Sequence, residues 1–340
     1  MDSSLLLWGE FVCLCVFILF VSNFMAKAAD QISELTGIGR SFIGVILLGT
    51  ATSLPELGSG ITAVRILDQP NLAAAGVFGA CIYNLMIIGV LDLFCKNGPV
   101  LAHLTVTSAI TGALSIAVLS VASLGLLLGM MIGQPLPLLS VSGISIVLLV
   151  TFLISMFLVF KSEREEARDL DSSGPVDGSL SRAVITYLIA AISISVAAYF
   201  IAHVADAITT KMAWNASYTG FQFMALSTTL PEMASSLAAL RIGAPELAIS
   251  NLLGSNMFNI GFILFAEDLA LKHGAFWPRL SISNAAIGIT AILMTSVVIS
   301  AMLARIRGTV SRQRAISAEA IVLFLLFLLI SLEIFHLQPG

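Results

Sequence analysis

The sequence predicts an all-α polytopic membrane protein whose ten transmembrane helices form two inverted repeats of five helices each. Three observations lead to this prediction: an apolar composition, ten stretches long enough to span a bilayer, and a motif that occurs once in each half of the chain. Apolar residues (AVILMFWYC) make up 58% of the 340 residues and charged residues only 11%. Soluble proteins carry about 25% charged residues, so this chain has too little charge to cover a water-facing surface.

The composition excludes several classes of protein. The low charge excludes a soluble enzyme, and the high apolar content excludes a disordered chain. The 16 Lys and Arg residues against 20 Asp and Glu residues leave no basic excess for a nucleic-acid partner, so the expected partner is the lipid bilayer. The four cysteines have no metal-ligand spacing, and no cofactor is expected.

The length of the apolar stretches sets the number of helices. A bilayer core about 30 Å thick requires about 20 mostly apolar residues per helix. Ten stretches meet this requirement: roughly 5–26, 41–64, 72–95, 103–128, 138–160, 183–203, 216–240, 247–270, 281–304 and 318–336. The hydrophilic segment 161–182 is expected to be a solvated linker. It divides the chain into a first repeat at 1–160 and a second repeat at 183–340.

The distribution of basic residues predicts the orientation, because cytoplasmic loops carry an excess of Lys and Arg. With the N-terminus outside, the inner loops hold 12 of the 16 basic residues. The outer loops hold Arg65, Lys211, Lys272 and Arg279. Both termini are therefore expected outside, and the 161–182 linker is expected in the cytoplasm.

An internal repeat relates the two halves. An ungapped alignment of the halves places Thr52-Ser53-Leu54-Pro55-Glu56 on Thr228-Thr229-Leu230-Pro231-Glu232, and after one inserted residue near Gln69 it places Asn84 on Asn259. Because each half has an odd number of spans, the second half enters the membrane from the opposite side. Inverted repeats are typical of secondary transporters, whose sites lie near the bilayer midplane.

Glu56 and Glu232 are the main candidates for chemistry. An ionisable residue inside a span costs on the order of 3 kcal/mol or more and is a functional candidate by default. These two glutamates occupy equivalent positions in inverted halves, so they are expected to approach each other across a pseudo-two-fold axis. A cation or protons must then neutralise them.

The residues around each glutamate supply further oxygen atoms. Pro55 and Pro231 lack the N–H that a helix requires, so each kinks its helix and frees carbonyl groups on the preceding turn. The hydroxyl residues on the glutamate faces are Thr52, Ser53, Thr228 and Thr229. Such hard oxygen donors suit Ca²⁺, Na⁺ or Mg²⁺ and are poor ligands for zinc or copper.

Amides in the third span of each half extend the candidate shell. Asn84 and Asn259 coincide in the repeat, and their side-chain carbonyls are predicted ligands in a shell of six to eight oxygens. Asn251 and Asn256 have no amide counterpart in the first half. For them, hydrogen bonding between helices is an equal alternative.

The segments ATSLPEL (51–57), STTLPEM (227–233) and AISNLLGSNMFN (248–259) resemble the signature of the cation/calcium exchanger superfamily, in particular the prokaryotic ten-span form of its sodium/calcium exchanger branch. The resemblance implies antiport by alternating access. Glu56 and Glu232 are then central ligands, Thr52 and Thr228 supply oxygens to Ca²⁺, and Asn84 and Asn259 complete the centre. The implied flanking Na⁺ sites use Ser53, Thr229, Ser255 and the carbonyl groups of Gly49 and Ala225.

The first repeat departs from this pattern. Ala80 and Cys81 stand where the second repeat has Ser255 and Asn256, so one flanking Na⁺ site lacks a hydroxyl oxygen. Asn259 stands where many members of the branch carry Asp. The centre then holds two formal charges, which one Ca²⁺ or two monovalent cations balance.

Three readings of the function remain at this point. The leading one is a Na⁺-driven Ca²⁺ antiporter in a prokaryotic inner membrane, since no large regulatory domain separates the halves. The second keeps the fold but couples to H⁺ or carries another divalent cation. The third is a cation channel with a glutamate selectivity ring. An enzyme is not expected, because no activated nucleophile or metal motif occurs.

The remaining acidic residues are expected to have structural or interfacial roles. Asp30 and Asp206 coincide in the repeat and are expected to brace the loop before the kinked helix. The acidic residues near predicted span ends, where interfacial solvation is expected, are Glu10, Asp92, Glu267, Asp268 and Glu333.

The 12-to-4 bias of basic residues gives a topology prediction. A cysteine at Ser172, in a background without reactive native cysteines, is expected to react with an impermeant thiol reagent only from the cytoplasmic side. Labelling in intact cells and in inverted vesicles measures this directly. Labelling of intact cells contradicts the predicted orientation.

Overall fold

The computed structural model describes residues 3–95, 98–132, 137–138, 141–169, 178–212, 225–306 and 317–337. Its α-helices are α1 (Ser3–Thr36), α2 (Arg40–Ile43), α3 (Gly49–Thr52), α4 (Leu54–Arg65), α5 (Pro70–Phe94), α6 (Val106–Ile132), α7 (Gly143–Asp169), α8 (Leu180–Lys211), α9 (Leu230–Arg241), α10 (Pro245–Phe258), α11 (Leu264–Ala270), α12 (Ile282–Ile306) and α13 (Ala318–Leu337). Residues 225–228 are also helical. Strands β1 (Pro137–Leu138) and β2 (Val141–Ser142) form an antiparallel pair.

Shorter helical turns interrupt or join these helices. Gly44–Leu48 is a π-helical turn that joins α2 to α3, and Asn259–Ile263 is a π-helical turn that joins α10 to α11. Turns of 3₁₀ helix lie at Val100–His103 and Trp277–Arg279. The segments α2–α3 and α4 are bent by 43° at a one-residue break, as the proline at 55 predicts.

The helices have the composition of a membrane protein. Within the described ranges, seven helices are long and apolar enough to cross a membrane, and the bent pair α2–α3 and α4 gives an eighth. Large apolar side chains such as Leu153 and Leu325 are exposed on the outside of the bundle, where lipid solvates them. The all-helical membrane fold is confirmed, and the number of ten crossings stays a prediction.

The backbone repeats itself at the positions that the sequence repeat predicts. Ser53 and Thr229, which are counterparts in the repeat, break their helices with nearly the same dihedral angles, φ −87° and ψ 4° against φ −85° and ψ 1°. A 12-residue helix follows each break. Asp68 and Gly243, which correspond once the inserted residue is counted, then both take a positive φ, of 52° and 81°. The inserted residue therefore lies between the end of the helix at position 65 and position 68.

Three carboxylates expected at solvated span ends are instead buried, and this corrects the sequence-based expectation. Asp92 and Asp268 are each 3% exposed and Glu267 is 0% exposed. Asp92 accepts a hydrogen bond from the Ser317 N–H at 2.9 Å, and Asp268 accepts one from the Ser142 N–H at 2.8 Å. Asp92 thus lies at the N-terminus of α13, and Asp268 lies at the N-terminus of α7. The dipole of a helix stabilises a negative charge at this end. By contrast, the side chains of Glu10 and Glu333 are exposed.

The first part of the predicted linker is helical. The helix α7 continues to Asp169, because the segment after residue 160 consists mostly of charged residues with good helix propensity. Glu163 on this extension is buried and accepts a hydrogen bond from the Ser41 N–H at 3.3 Å. The extension therefore packs on the start of α2. Ser172 lies outside the described residues.

The brace predicted before the kinked helix is present in the first half. Asp30 on α1 accepts a hydrogen bond from the Arg40 guanidinium at 2.5 Å, at the start of α2. This contact fixes the entry of the chain into the broken span. The side chain of Asp206, its repeat counterpart, lies outside the described atoms.

The central contact of the fold joins α10 to the broken span of the first half. A Cβ atom at Gly254 would lie 2.5 Å from the Cα of Val45, and one at Gly49 would lie 2.9 Å from the Ser255 nitrogen. Both contacts are with backbone atoms, which cannot rotate away. Glycine therefore allows the two backbones to approach closely, as small residues do between membrane helices.

A matched pair of substitutions tests this contact. Gly254→Ala is expected to destabilise the protein by about 1–3 kcal/mol, because its methyl group overpacks against the Val45 backbone. Gly58→Ala is the control, since a Cβ atom at Gly58 meets nothing within 4 Å and alanine favours the helix. Thermal unfolding in detergent measures both. Equal melting temperatures for the two variants contradict the proposed contact.

Candidate ion-binding site

The two breaks place the glutamates at the N-termini of half-helices. Glu56 is the third residue of α4, and Glu232 is the third residue of α9. Unpaired N–H groups and the helix dipole make such an end electropositive. Each glutamate charge is therefore stabilised within its own half-helix.

The sequence around each break has the pattern of a capping box, which was not used above to predict where the second half of each broken helix begins. Ser53 and Thr229 precede Glu56 and Glu232 by three residues, as the S/T-x-x-E pattern requires. Neither hydroxyl makes the capping hydrogen bond to its own helix. The Ser53 hydroxyl instead donates to Glu232 Oε1, in the other half of the protein, at 3.2 Å. Neither capping residue is therefore fixed by its own helix, and Ser53 contacts the other half of the protein.

Both carboxylates are buried and largely without protein partners. Glu56 is 4% exposed and Glu232 is 0% exposed. Within the described part of the chain, neither Glu56 oxygen accepts a hydrogen bond, and Glu232 Oε2 has no partner. Thr228 lies beside Glu56 without completing a hydrogen bond. A buried ionised carboxylate without a partner is very costly, so these oxygens require a cation or a proton.

The two predicted asparagine ligands also have free acceptor atoms. Asn84 Oδ1 and both amide atoms of Asn259 are buried without partners among the described residues. Asn84 donates its amide N–H to Asn256 Oδ1 at 3.0 Å, which fixes the direction of its free carbonyl oxygen. Buried amides are normally satisfied, so these free atoms mark a position for a ligand.

Asn256 and Asn251 have neighbours in the protein. Asn256 donates to the carbonyl group of Cys81 at 3.3 Å and accepts from Asn84. The Cys81 thiol lies 4.0 Å from the carbonyl oxygen of Asn256. Since 81 and 256 are repeat counterparts, this mutual contact lies on the pseudo-two-fold axis. Asn251 donates to the hydroxyls of Ser235 and Ser236 at 3.0 and 2.8 Å.

The flanking positions differ between the repeats. In one, Ser255 donates to the carbonyl group of Gly49 at 3.2 Å, and its hydroxyl lies 3.4 Å from that of Thr52. The symmetry-related position pairs Ala80 with Ala225, and Ala80 has no hydroxyl. The Ala225 carbonyl accepts instead from two neighbours in its own chain segment, Thr228 at 3.2 Å and Thr229 at 2.9 Å.

All eleven predicted site residues thus lie on the broken spans or on the helices that cross them. The structure joins Ser53 to Glu232, Thr52 to Ser255, and Ser255 to Gly49 by direct contacts. Within the described ranges no three His, Cys, Asp or Glu side chains converge. The donor set consists of two carboxylates surrounded by neutral oxygens, which is the chemistry of hard cations.

Two repeated halves that meet at buried carboxylates with few protein partners are typical of a secondary transporter of the inverted-repeat class. The chain belongs to the sodium/calcium exchanger protein family, whose model matches residues 6–162 and 182–333. The resemblance predicted from the sequence is therefore confirmed. This family consists of membrane transporters.

Three similar proteins are described as membrane proteins or as an exchanger. The inner membrane protein YrbG of Escherichia coli is 27% identical over 73% of this chain and 74% of its own length. The membrane protein MJ0091 of Methanocaldococcus jannaschii is 23% identical over 84% of this chain and 86% of its own. The sodium/calcium exchanger MaX1 of Methanosarcina acetivorans is 34% identical over a shorter region, 23% of this chain and 22% of its own.

A solved structure has the same fold. The sodium-calcium exchanger NCX_Mj, soaked with 10 mM Na⁺ and no Ca²⁺, matches with a TM-score of 0.70 at 18% identity, over 98% of this chain and 100% of that one. At this identity the match establishes the fold, and it confirms the predicted fold class.

Proposed function

We propose that the protein exchanges Ca²⁺ for Na⁺ across the membrane by alternating access. The observation that carries the proposal is the pair of buried glutamates, Glu56 and Glu232, whose oxygens largely lack protein partners. Two negative charges in an apolar core require compensation by about two positive charges. One Ca²⁺ or two monovalent cations meet this requirement.

The same charge balance explains antiport. Ca²⁺ and Na⁺ compete for the same two carboxylates, so the site is neutral when one kind of ion occupies it and strongly charged when it is empty. A site that carries uncompensated charge cannot cross the low-dielectric interior of the bundle without a large cost. The loaded forms are therefore the ones that change sides, and one ion species moves only in exchange for the other.

The ligands we propose for Ca²⁺ combine charged and neutral oxygens. Glu56 and Glu232 supply the charge, Thr52 and Thr228 supply oxygens, and the carbonyl oxygens of Asn84 and Asn259 complete the shell. The flanking Na⁺ sites are formed by Ser53, Thr229, Ser255 and the carbonyl groups of Gly49 and Ala225. The contact of Ser255 with Gly49 at 3.2 Å supports one of these flanking sites.

We further propose that the two repeats, 1–160 and 183–340, enclose this site between them, with the 161–182 linker on the cytoplasmic side and both termini outside. The bias of basic residues supports this orientation. A relative described as an inner membrane protein of Escherichia coli supports a prokaryotic inner membrane.

Coupling to H⁺ is the second candidate, because protons neutralise carboxylates as well as Na⁺ does. The SLPE and TLPE segments, in place of the GNxxE of the proton-coupled branch, favour Na⁺.

A cation channel is less compatible with carboxylates that are 4% and 0% exposed, since conduction requires a continuous path. Uptake of ⁴⁵Ca²⁺ into proteoliposomes, with Na⁺, K⁺ and pH gradients imposed separately, distinguishes the three. A channel conducts without a counter-ion.

The central carboxylates give a direct test. Glu56→Gln and Glu232→Gln are each expected to abolish Ca²⁺ exchange while the protein still inserts, because glutamine keeps the shape and removes one of the two charges. Glu10→Gln, at an exposed position, is the matched control and is expected to behave as wild type. Exchange at the wild-type rate in either central variant overturns the assignment.

The difference between the repeats gives a second test. Ala80→Ser restores the hydroxyl that Ser255 supplies in the other repeat, and it is expected to raise the apparent Na⁺ affinity by roughly 5- to 150-fold, the equivalent of a missing polar partner worth about 1–3 kcal/mol. Ca²⁺ affinity is expected to change much less. Na⁺-driven ⁴⁵Ca²⁺ efflux at varied Na⁺ measures both. An unchanged Na⁺ dependence, in a wild type that already responds steeply to Na⁺, contradicts the role of Ala80.

A further inference from the structure

Glu267 is a buried carboxyl group that the proposed exchange site does not use. It lies in α11, is 0% exposed, and neither of its carboxyl oxygens has a hydrogen-bond partner within the described ranges. The neighbouring Asp268 accepts hydrogen bonds from the Ser142 N–H and the Ser145 hydroxyl. The fold therefore satisfies one of these two adjacent acids and leaves the other without a partner.

The two buried aspartates show how the repeats correspond in this region. Asp92 and Asp268 make the same hydrogen bond, to Ser317 and Ser142, and these two serines are counterparts in the sequence repeat. The aspartates themselves are offset by one position in that repeat, so the second half contains an extra residue before Asp268. This residue lies in the π-helical turn Asn259–Ile263, since α5 continues as an α-helix through the equivalent region.

The π-helical turn also sets the place and direction of Glu267. With the extra residue counted, Glu267 takes the place that Leu91, a core residue, takes in the first repeat, so the fold does not require an acid there. Glu267 follows Asn259 by eight positions, and one of these eight steps comes from the residue that the π turn inserts. The remaining seven make two helical turns, so Glu267 lies on the same face as Asn259. Residues that a π turn re-aligns in this way are frequently functional.

Gly60 provides the space for the carboxyl group. A Cβ atom at Gly60 would lie 2.1 Å from Glu267 Oε1, whereas the second repeat has Ser236 at the equivalent position. Gly60 follows Glu56 by four residues, so both lie on one face of α4. The carboxyl group of Glu267 therefore lies one helical turn from the position of Glu56, towards the end of α4.

The surroundings of Glu267 suit a proton better than a metal ion. A metal ion requires several oxygen ligands, whereas no described residue hydrogen-bonds to this carboxyl group and no two further His, Cys, Asp or Glu side chains among the described residues join it in a cluster. On α4 the charged residues facing α11 are Glu56 and Arg65, and the Arg65 guanidinium donates to the Ala270 carbonyl at 3.4 Å. On α11 itself the other charged residue is Asp268. Among the other elements packed on α11, β2 and the π turn contain no acidic or basic residue, the only charged residue of α5 is Asp92, and the charged residues of α7 begin at Lys161.

We propose that Glu267 is a proton-binding site that accompanies the exchange site. It holds one proton while α4 and α11 are in contact. When this contact opens, the carboxyl O–H bond breaks, the proton passes to water on the side of the membrane where α4 ends, and a carboxylate remains. This inference rests on the proposed exchange function, because opening of the α4–α11 contact is taken as a step of the transport cycle.

Infrared spectroscopy tests the protonation without measuring transport. In saturating Ca²⁺, with Glu56 and Glu232 bound to the ion, the wild type is expected to show the carbonyl band of a protonated carboxylic acid. Glu267→Gln and Glu267→Leu are both expected to lose this band, and Leu copies the residue of the first repeat. Asp92→Asn is the matched control and is expected to keep it, since both oxygens of Asp92 accept hydrogen bonds from backbone N–H groups. A spectrum that is the same in wild type and Glu267→Gln overturns the proposal.

The pH dependence of exchange tests the release step. In proteoliposomes the exchange rate is expected to fall by up to about tenfold per pH unit as the solution at the α4 end is acidified below the pKa of the exposed carboxyl group. Glu267→Gln is neutral like the protonated acid, so it is expected to exchange Ca²⁺ at the low acid-limit rate at every pH and to show no pH step. Gly60→Ala, which displaces the carboxyl group, is expected to shift the midpoint of the step when Glu267 is present and to leave the pH-independent rate of Glu267→Gln unchanged. An unchanged pH dependence in Glu267→Gln overturns the release step, whereas absence of Ca²⁺ exchange in the wild type refutes the exchange function instead.

Discussion

The structure depends on the cost of placing two carboxylates in an apolar core. Glu56 and Glu232 are shielded from solvent, and a charge in such a place is tolerated only when a counter-charge and dipoles stabilise it. The broken spans supply the dipoles, because each break turns the middle of a membrane helix into the N-terminus of a half-helix. The capping hydroxyl of Ser53 donates to Glu232 in the other half, whereas that of Thr229 donates to Ala225 in its own segment. A bound cation or a proton must supply the remaining positive charge.

Close packing brings these dipoles together. The breaks at Ser53 and Thr229 are useful only if the two halves approach closely, and glycine backbones at 49 and 254 permit this approach. The contact between Cys81 and Asn256 then lies on the axis that relates the halves. The residues that lie beside the candidate site thus also hold the repeats together.

The sequence predicts the features that depend on local chemistry or on the repeat. Proline before each glutamate predicts the bend, and the matched segments predict the inserted residue near position 69, which the backbone angles of Asp68 and Gly243 confirm. Burial of Asp92 and Asp268 could not be predicted, because their partners, Ser317 and Ser142, are distant in the chain. The π turn at Asn259–Ile263 has no clear signal in one sequence. It becomes visible only when the two halves are compared as structures.

The places where the repeats differ are more informative about this chain than the places where they agree. Agreement at the glutamates follows from membership of the family and from the inverted fold. The fold alone does not require Ala80 where the other repeat has Ser255, or Glu267 where the other repeat has Leu91. In each case the other repeat shows that the position accepts the alternative residue. The first difference removes an oxygen beside the exchange site, and the second adds an acid one helical turn away from Glu56. Under the proposed function, both differences alter the number of cations that the interior can hold, so we expect the stoichiometry of exchange to depend on Ala80 and Glu267.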